Sequence, residues 1–413
     1  MFISEKITEL AGTCEEKCRG IFSDIEKTSL INTRKVLDAF QKERVSESCF
    51  SGTTGYGYDD LGRDTLDRVY ADIFKAESAL VRLNFVNGTH AISTAIMAML
   101  APGDVLLSVT GSPYDTLRST IGDNDCRHGS LSFYGIGYRQ VEFNKSGEPD
   151  YPIIEKEAAD PAVKAILIQR SRGYSLRKAL SVEIIAKICS CIKNVNPGVS
   201  VLVDNCYGEF TETTEPLEAG ADLIAGSLIK NPGGGIAPAG AYIAGRKDLV
   251  EKAAMCLTTP GIGGECGATL GNNRLLFQGL YFAPHCVSQA LKTAVFCAAV
   301  MEKLGMETSP AWNEKRYDII QAVSLGTKEK MIAFCKGIQN GSAVDSYVSP
   351  EPWNMPGYDC EVIMAAGNFI QGASLELSAD GPVREPYTVY LQGGLTYEAG
   401  KLGVMNAISA MIR

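Results

Sequence analysis

Lys230 closes the apolar stretch of GSLIKNPGGG (226–235) and is followed by Asn-Pro and three glycines. Such a turn lets backbone approach a ligand closely. A lysine at a strand end beneath a cleft sheds its proton when desolvated and becomes a nucleophilic amine. VSVLVD (199–204) ends in Asp204, and the gap to Lys230 fits one helix-containing crossover between neighbouring strands. An acid there can pair with a protonated ring nitrogen. VNGTHAIST (86–94) is a strand–Gly–helix junction, with Asn87, Gly88, Thr89 and His90 in the turn. A helix N-terminus of that kind offers unpaired N–H groups to an anion. Taken singly, each feature has an ordinary structural explanation: a strand-capping surface lysine, a turn aspartate, a common Gly-turn-helix with His90 packed in its first turn.

The elements that must position these residues follow from apolar periodicity. Residues 1 to about 45 place Ile7, Leu10, Val36, Leu37 and Phe40 at helical spacing. This predicts a pair of surface helices, an arm of the kind that packs on a partner subunit. The Gly- and Tyr-rich start of 51–77 is a loop, and its second half sets Leu66, Val69, Tyr70, Ile73 and Phe74 on one helical face. Strands are expected at 79–86, 104–109, 162–169, 199–204, 221–227 and 240–245, with helices at 89–100 and 181–195. Continuous β-branched runs separated by helices indicate an α/β fold with a mostly parallel sheet, covered on both faces. Ligands of such sheets collect at the carboxyl ends of the strands. Beyond about residue 290 the pattern is α+β, with helices at 289–306 and 396–413 and a strand within 367–378. The expected organisation is an N-terminal helical arm (1–50), a large domain (51–288) and a small C-terminal domain (289–413).

Composition narrows the function classes. The 413 residues are 45% hydrophobic and 21% charged, with a net charge of −9 and no run of five Lys or Arg. Such a surface repels nucleic acid and anionic lipid. The charged N-terminus lacks the layout of a secretory signal, and no 18-residue apolar stretch is present. The 13 cysteines form no CxxC pair and the three histidines stand apart, so no metal site is expected. Free buried thiols in a reducing cytosol, and a soluble cytoplasmic protein, are the expectation.

Together, an anion cradle, an acid for a ring nitrogen and a Schiff-base lysine are the parts that bind pyridoxal phosphate. With the runs SGTTGYGYDDLGRDTLDRVYA, IQRSRGYSLRKALS, SLIKNPGGGIAPAGAYIAG and YLQGGLTYEAGKLG, the chain resembles the fold-type I pyridoxal-phosphate enzymes of Cys/Met metabolism. Within them it looks most like the bacterial methionine γ-lyase family and its aluminium-resistance branch, described as cystathionine β-lyase-like. The resemblance spans roughly residues 50 to 413 and implies a seven-stranded large-domain sheet. It implies that Lys230 holds the cofactor and then moves protons, and that Ser227, Gly88, Thr89 and His90 take its phosphate. Asp204 would keep the ring nitrogen protonated, and Tyr114 would stack on the ring and assist the leaving group. Tyr58 would reach the phosphate of a neighbouring subunit, so that sites are shared in a dimer, with a homotetramer as the wider family's assembly.

Two departures from the better-known γ-lyases stand out. Their loop arginine, two positions after the tyrosine, is here Asp60, with Arg63 as a possible substitute. Their ring-side asparagine has no counterpart, which leaves Gln169 or Arg172 to take over. Arg384 is the candidate grip for the substrate carboxylate, with a surface ion pair to Glu385 as its other explanation. The implied activity is elimination of a thiol from methionine, cystathionine or cysteine, giving a 2-oxo acid and ammonia. Alternatives are a pyridoxal-phosphate aminotransferase or aldolase, and a non-catalytic stress-response protein on the same fold.

Overall fold

The computed structural model describes residues 3–122, 126–355 and 360–412. It opens with one helix, α1 (Glu5–Lys42), where the periodicity suggested two. No proline interrupts the segment, and Gly12 and Gly20 stand alone with open space around them. The Ser4 hydroxyl accepts from the Ile7 N–H and caps its start. Ile7, Ala11, Cys14 and Cys18 recur at i, i+4, i+7 and i+11 and bury on a helix of the same chain. Of the arm's apolar stripe, Ile7 and Val36 are buried within the chain, Leu10 and Phe40 are half-buried, and Leu37 is exposed.

After α2 (Leu61–Phe74) comes a seven-stranded sheet: β1 (Ser78–Arg82), β2 (Val105–Ser108), β3 (Gly137–Gln140), β4 (Val163–Gln169), β5 (Ser200–Asp204), β6 (Leu223–Ser227) and β7 (Ala241–Gly245). Their order is β1-β7-β6-β5-β4-β2-β3. All neighbours are parallel except β7, which runs antiparallel to β1 and β6. The connecting helices are α3 (Gly88–Met99), α4 (Asp115–Ile121), α5 (Tyr151–Ala158), α6 (Val182–Val195) and α7 (Lys247–Leu257). Alternation divides the strands between two cores. Leu202, Leu223 and Ala225 pack with Ile92 and Leu249, while Val201, Val203 and Ile224 pack with Leu66 and Ile185 on the other face. Each such buried aliphatic side chain contributes about 1.5–3 kcal/mol. Only β3 lacked a sequence signal; it is a four-residue edge strand, GYRQ, without a fully buried residue.

The long helix α8 (Asn273–Lys303) begins well before the expected 289–306 and carries Pro284 in its interior. Proline removes one intrahelical hydrogen bond. The helix persists because Leu276, Leu280, Ala283, Val287 and Leu291 bury in the first core, and Val295, Phe296, Val300 and Met301 in the second. The second core lies on an antiparallel sheet of β8 (Glu307–Ser309), β9 (Ile320–Ser324), β10 (Val362–Ala366), β11 (Leu377–Pro382) and β12 (Thr388–Gly393), ordered β10-β11-β12-β9-β8. It is covered by α9 (Lys328–Asn340) and α10 (Tyr397–Ile412). Met1, Phe2 and Arg413, the ends of the expected arm and C-terminal helix, lie outside the described residues. Of the expected strand run 367–378, only Leu377 and Ser378 are extended. The rest is a loop pinned by the Glu376 carboxylate, which accepts from the Phe369 and Ile370 N–H groups at 2.7 and 2.8 Å.

All 13 cysteines are free, and nine are buried. Among the described residues no helix is long and apolar enough to cross a membrane.

Candidate active site

A cavity of about 760 Å³ opens at the carboxyl ends of β4, β5 and β6 and is walled on its other side by the second sheet. Gln169, Asp204 and Ser227 are the last residues of those three adjacent strands, so parallel pairing alone brings them side by side. Lys230 follows Ser227 in a tight turn, its N–H donating to the Ser227 carbonyl at 3.3 Å. Its Nζ sits 4.0 Å from the centroid of the Tyr207 ring. Tyr207 has a left-handed φ of 70°, a strained backbone for a non-glycine residue, and its hydroxyl is tied to Ser374 Oγ at 3.1 Å.

The three glycines after Lys230 have a different task from the one their sequence suggests. A Cβ on Gly233 would lie 1.7 Å from the Leu228 carbonyl, and one on Gly234 2.3 Å from the Gly279 carbonyl of α8. Gly234 lets the turn pack on α8, Gly233 lets it close on the Leu228 carbonyl, Gly235 leaves room for Leu395, and none of them lines the cavity.

Asp204 is 5% exposed, and its Oδ1 accepts from the Cys206 N–H at 3.1 Å. Burial raises its carboxyl pKa, and the Lys230 charge pulls it back. Burial disfavours the Lys230 ammonium, and the Asp204 carboxylate favours it. Burial pushes the Cys206 thiol and the Tyr114 phenol up, so both stay neutral at ordinary pH. Asp204 is thus the group that carries charge opposite Lys230.

Gly88 and Thr89 open α3 toward the cavity, with Asn87 as N-cap accepting from the His90 N–H at 2.9 Å. A Cβ on Gly88 would come within 3.2 Å of Ser227 Cβ. Tyr114 precedes α4 and donates its hydroxyl to Thr89 Oγ1 at 3.1 Å, while its N–H donates to Gln169 Oε1 at 3.1 Å. The cavity therefore gathers Gly88, Thr89, Tyr114, Asp204, Ser227, Lys230 and Arg384. His90 is not brought to its wall: the ring lies edge-on to Phe85, and Nδ1 accepts from the Val86 N–H at 3.2 Å.

Tyr58 is also outside this cavity, 55% exposed and stacked on Tyr56. Asp60 is 1% exposed and caps α2, accepting from the Arg63 N–H, Thr53, Thr269 and Asn273. Arg63 is equally buried, its guanidinium committed to the Gly57 and Gly267 carbonyls at 2.5 and 3.3 Å. Arg172 is fixed to Ser309 through Nη1, at 2.8 and 2.9 Å, so Gln169 is the residue of that pair that touches Tyr114. Arg384 is exposed at the cavity rim and makes no ion pair with Glu385 among the described residues. Cys206, Tyr207, Asp380 and Gln392 also line the cavity and were not singled out from the sequence. The last two carried a usable signal: in LSADGP and TVYLQG polar residues alternate with buried aliphatic ones.

The model of the methionine γ-lyase family matches residues 7–412. A carbon–sulfur lyase involved in aluminium resistance from Clostridium novyi NT is 51% identical, with a TM-score of 0.95 covering 98% of this chain and 96% of that one. A Listeria innocua structure is 52% identical, with a TM-score of 0.96 over 98% of each chain. The Bacillus subtilis protein YnbB is 48% identical over 410 residues, 99% of this chain and 97% of its own. The pyridoxal-5′-phosphate-dependent protein YhfS of Escherichia coli, 17% identical with a TM-score of 0.62, shares the fold. With a family model and relatives matching over nearly its whole length, the chain belongs to the methionine γ-lyase family.

Proposed function

We propose that the protein is a pyridoxal-phosphate-dependent carbon–sulfur lyase that eliminates a thiol from a sulfur amino acid, releasing a 2-oxo acid and ammonia. The observation that carries this is a half-buried lysine, in the turn after β6, sharing with the buried aspartate that ends β5 a cavity that also receives a helix N-terminus. These residues fit the cofactor. Gly88 leaves the first turn of α3 open, where a Cβ would crowd Ser227 and Cys206, so its N–H groups and the Thr89 and Ser227 hydroxyls suit a phosphate. Asp204 would keep a ring nitrogen protonated and Tyr114 would stack on the ring, a reading supported by the position of both on the cavity wall. When bound, the cofactor supplies an electron sink for negative charge on the substrate α-carbon.

This chain's residues then do the rest. Arg384 orients the substrate carboxylate from the rim. The Lys230 amine, freed of its proton, takes the α-proton as general base. The Tyr114 hydroxyl, kept protonated by burial, gives a proton to the departing sulfur. Tyr58 serves the site of a second copy of the chain. In support, its loop is held rigidly by Gly267 N–H to Tyr56 carbonyl and Leu270 N–H to Thr53 carbonyl bonds, both 3.0 Å, which present the ring outward.

The test is 2-oxo acid and ammonia release from L-methionine, L-cystathionine and L-cysteine by wild type and Lys230→Ala. The variant is expected to lose at least about 10²–10⁴-fold in kcat. Release at the normal rate by Lys230→Ala overturns the assignment.

A further inference from the structure

Strand alternation gives the second sheet two unlike faces. Leu377, Ala379, Val389 and Leu391 enter the core beneath α9 and α10. Asp380, Tyr390 and Gln392 point the other way, Asp380 standing directly across from Tyr390 in the β11–β12 register. Asp380 and Gln392 both reach the cavity wall, yet are only 8% and 5% exposed. Gln392 Nε2 donates to Asp380 Oδ1 at 3.3 Å. Tyr174, its ring 5.2 Å from that of Tyr390, hydrogen-bonds to the same carboxyl.

That arrangement leaves one acceptor without a donor and one acid without a countercharge. Gln392 Oε1 is buried without a hydrogen-bond partner. Asp380 has no basic partner among the described residues, and burial holds its carboxyl up at about 7. An acid and an amide oxygen buried on a cavity wall are costly unless something donates to them. A metal ion is a poor match, since no group of three or more His, Cys, Asp or Glu among the described residues could hold one. An ammonium, with three N–H donors and a positive charge, suits both acceptors. It cannot be the substrate's α-amine, which belongs at Lys230 on the other sheet.

Resting on the lyase reading, we propose that Asp380 and Gln392 form a specificity subsite for a second, distal ammonium of the substrate, so that the departing thiol itself carries an amine. The favoured substrate class is then a thioether joining two amino-acid heads, ahead of a simple alkyl thioether.

The test uses the holoenzyme and two probes without sulfur, LL-2,6-diaminopimelate and L-2-aminopimelate, which differ by one distal amino group. Calorimetry on wild type is expected to show the diamino probe binding at least about tenfold tighter, the value of a hydrogen bond to a charged group. In Asp380→Asn that preference falls toward one, and Gln392→Leu, a second variant of the same subsite, reduces it too. The ratio of kcat/KM for L-cystathionine to that for S-butyl-L-cysteine falls by a similar factor in Asp380→Asn. Equal binding of the two probes by wild type, or a preference that survives in both variants, overturns the subsite. If wild type eliminates neither thioether, the lyase reading fails on its own, and the probe titration still decides the subsite.

Discussion

Glu209 takes no part in the proposed reaction, yet it should set a large share of how stability depends on pH. Its side chain is fully buried. Oε1 accepts from the Tyr242 hydroxyl at 2.9 Å, and Oε2 is buried without a partner. Burial, aided by the charge of Glu215, raises its pKa from 4.5 to about 8 against the pull of Tyr242 and Lys230. The folded protein therefore keeps a proton that the unfolded chain releases near 4.5, so stability from this group is lost as pH rises through about 8. With those two values the group contributes about 2.7 kcal/mol at pH 6 and about 0.1 kcal/mol at pH 9. For 413 residues the unfolding entropy is about 0.9 kcal/mol per degree, which makes the loss about 3 °C in Tm. Glu209→Gln keeps an acceptor for Tyr242 and is neutral at every pH. The assay is thermal melting of both holoproteins at pH 6 and pH 9. The wild-type Tm, measured relative to the variant, should fall by about 3 °C between the two conditions. Parallel Tm-against-pH curves would refute the reasoning, because every other titrating group is common to the pair.

Three further outcomes follow from the geometry. Arg170, 0% exposed, bonds to Asn205 and pairs with Glu212 and Glu215, so Arg170→Ala should cost about 3–5 kcal/mol in denaturant unfolding by stranding buried carboxylates. Gly233→Ala drives a Cβ into the Leu228 carbonyl; it should destabilise by about 1–3 kcal/mol or more and reduce activity by shifting the Lys230 turn, read by melting and turnover together. Tyr114→Phe removes the hydroxyl that donates to Thr89, and kcat should fall by about 10² or more with the melting temperature nearly unchanged, read from steady-state kinetics and a melt.

How much could be read from sequence depended on how local each signal was. β4, β5 and β6 announce themselves as unbroken runs such as AILIQ and VLVD because both faces of a central parallel strand are buried. Their carboxyl ends then deliver Gln169, Asp204 and Ser227 to one cavity with no further information needed. β3 is silent because an edge strand of four residues buries little. α8 begins ahead of the expected 289–306 because tertiary packing carries it through Pro284, with buried residues on both sides. For the glycines after Lys230, sequence shows that backbone must come close to something, not what it approaches; here it is Leu228, α8 and Leu395. Arg63 looked available as a side chain for a site, yet its guanidinium is spent on oxygens that only the folded chain brings near, whereas Arg172 lines the cavity with Nη1 tied to Ser309 and Nε and Nη2 left without a hydrogen-bond partner.

The replacement at position 60 shows how a departure from a family pattern can move a role instead of deleting it. Asp60 is buried beneath four donors, on α2, on the loop before it and on the residues leading into α8. Those bonds hold its carboxyl below the usual range despite burial, so it stays ionised and anchors the segment that presents Tyr58. The Arg63 guanidinium in turn holds Gly57 of that loop and Gly267 of the segment leading into α8. The phosphate end of the proposed site offers the N–H groups of α3 and the hydroxyls of Thr89 and Ser227. A helix N-terminus can carry that load, since its aligned N–H groups and partial positive charge favour an anion without any side-chain cation. In the proposed shared site, Tyr58 from a second copy of the chain would need to supply only a hydroxyl and an aromatic face, which its exposed, stacked position with Tyr56 offers.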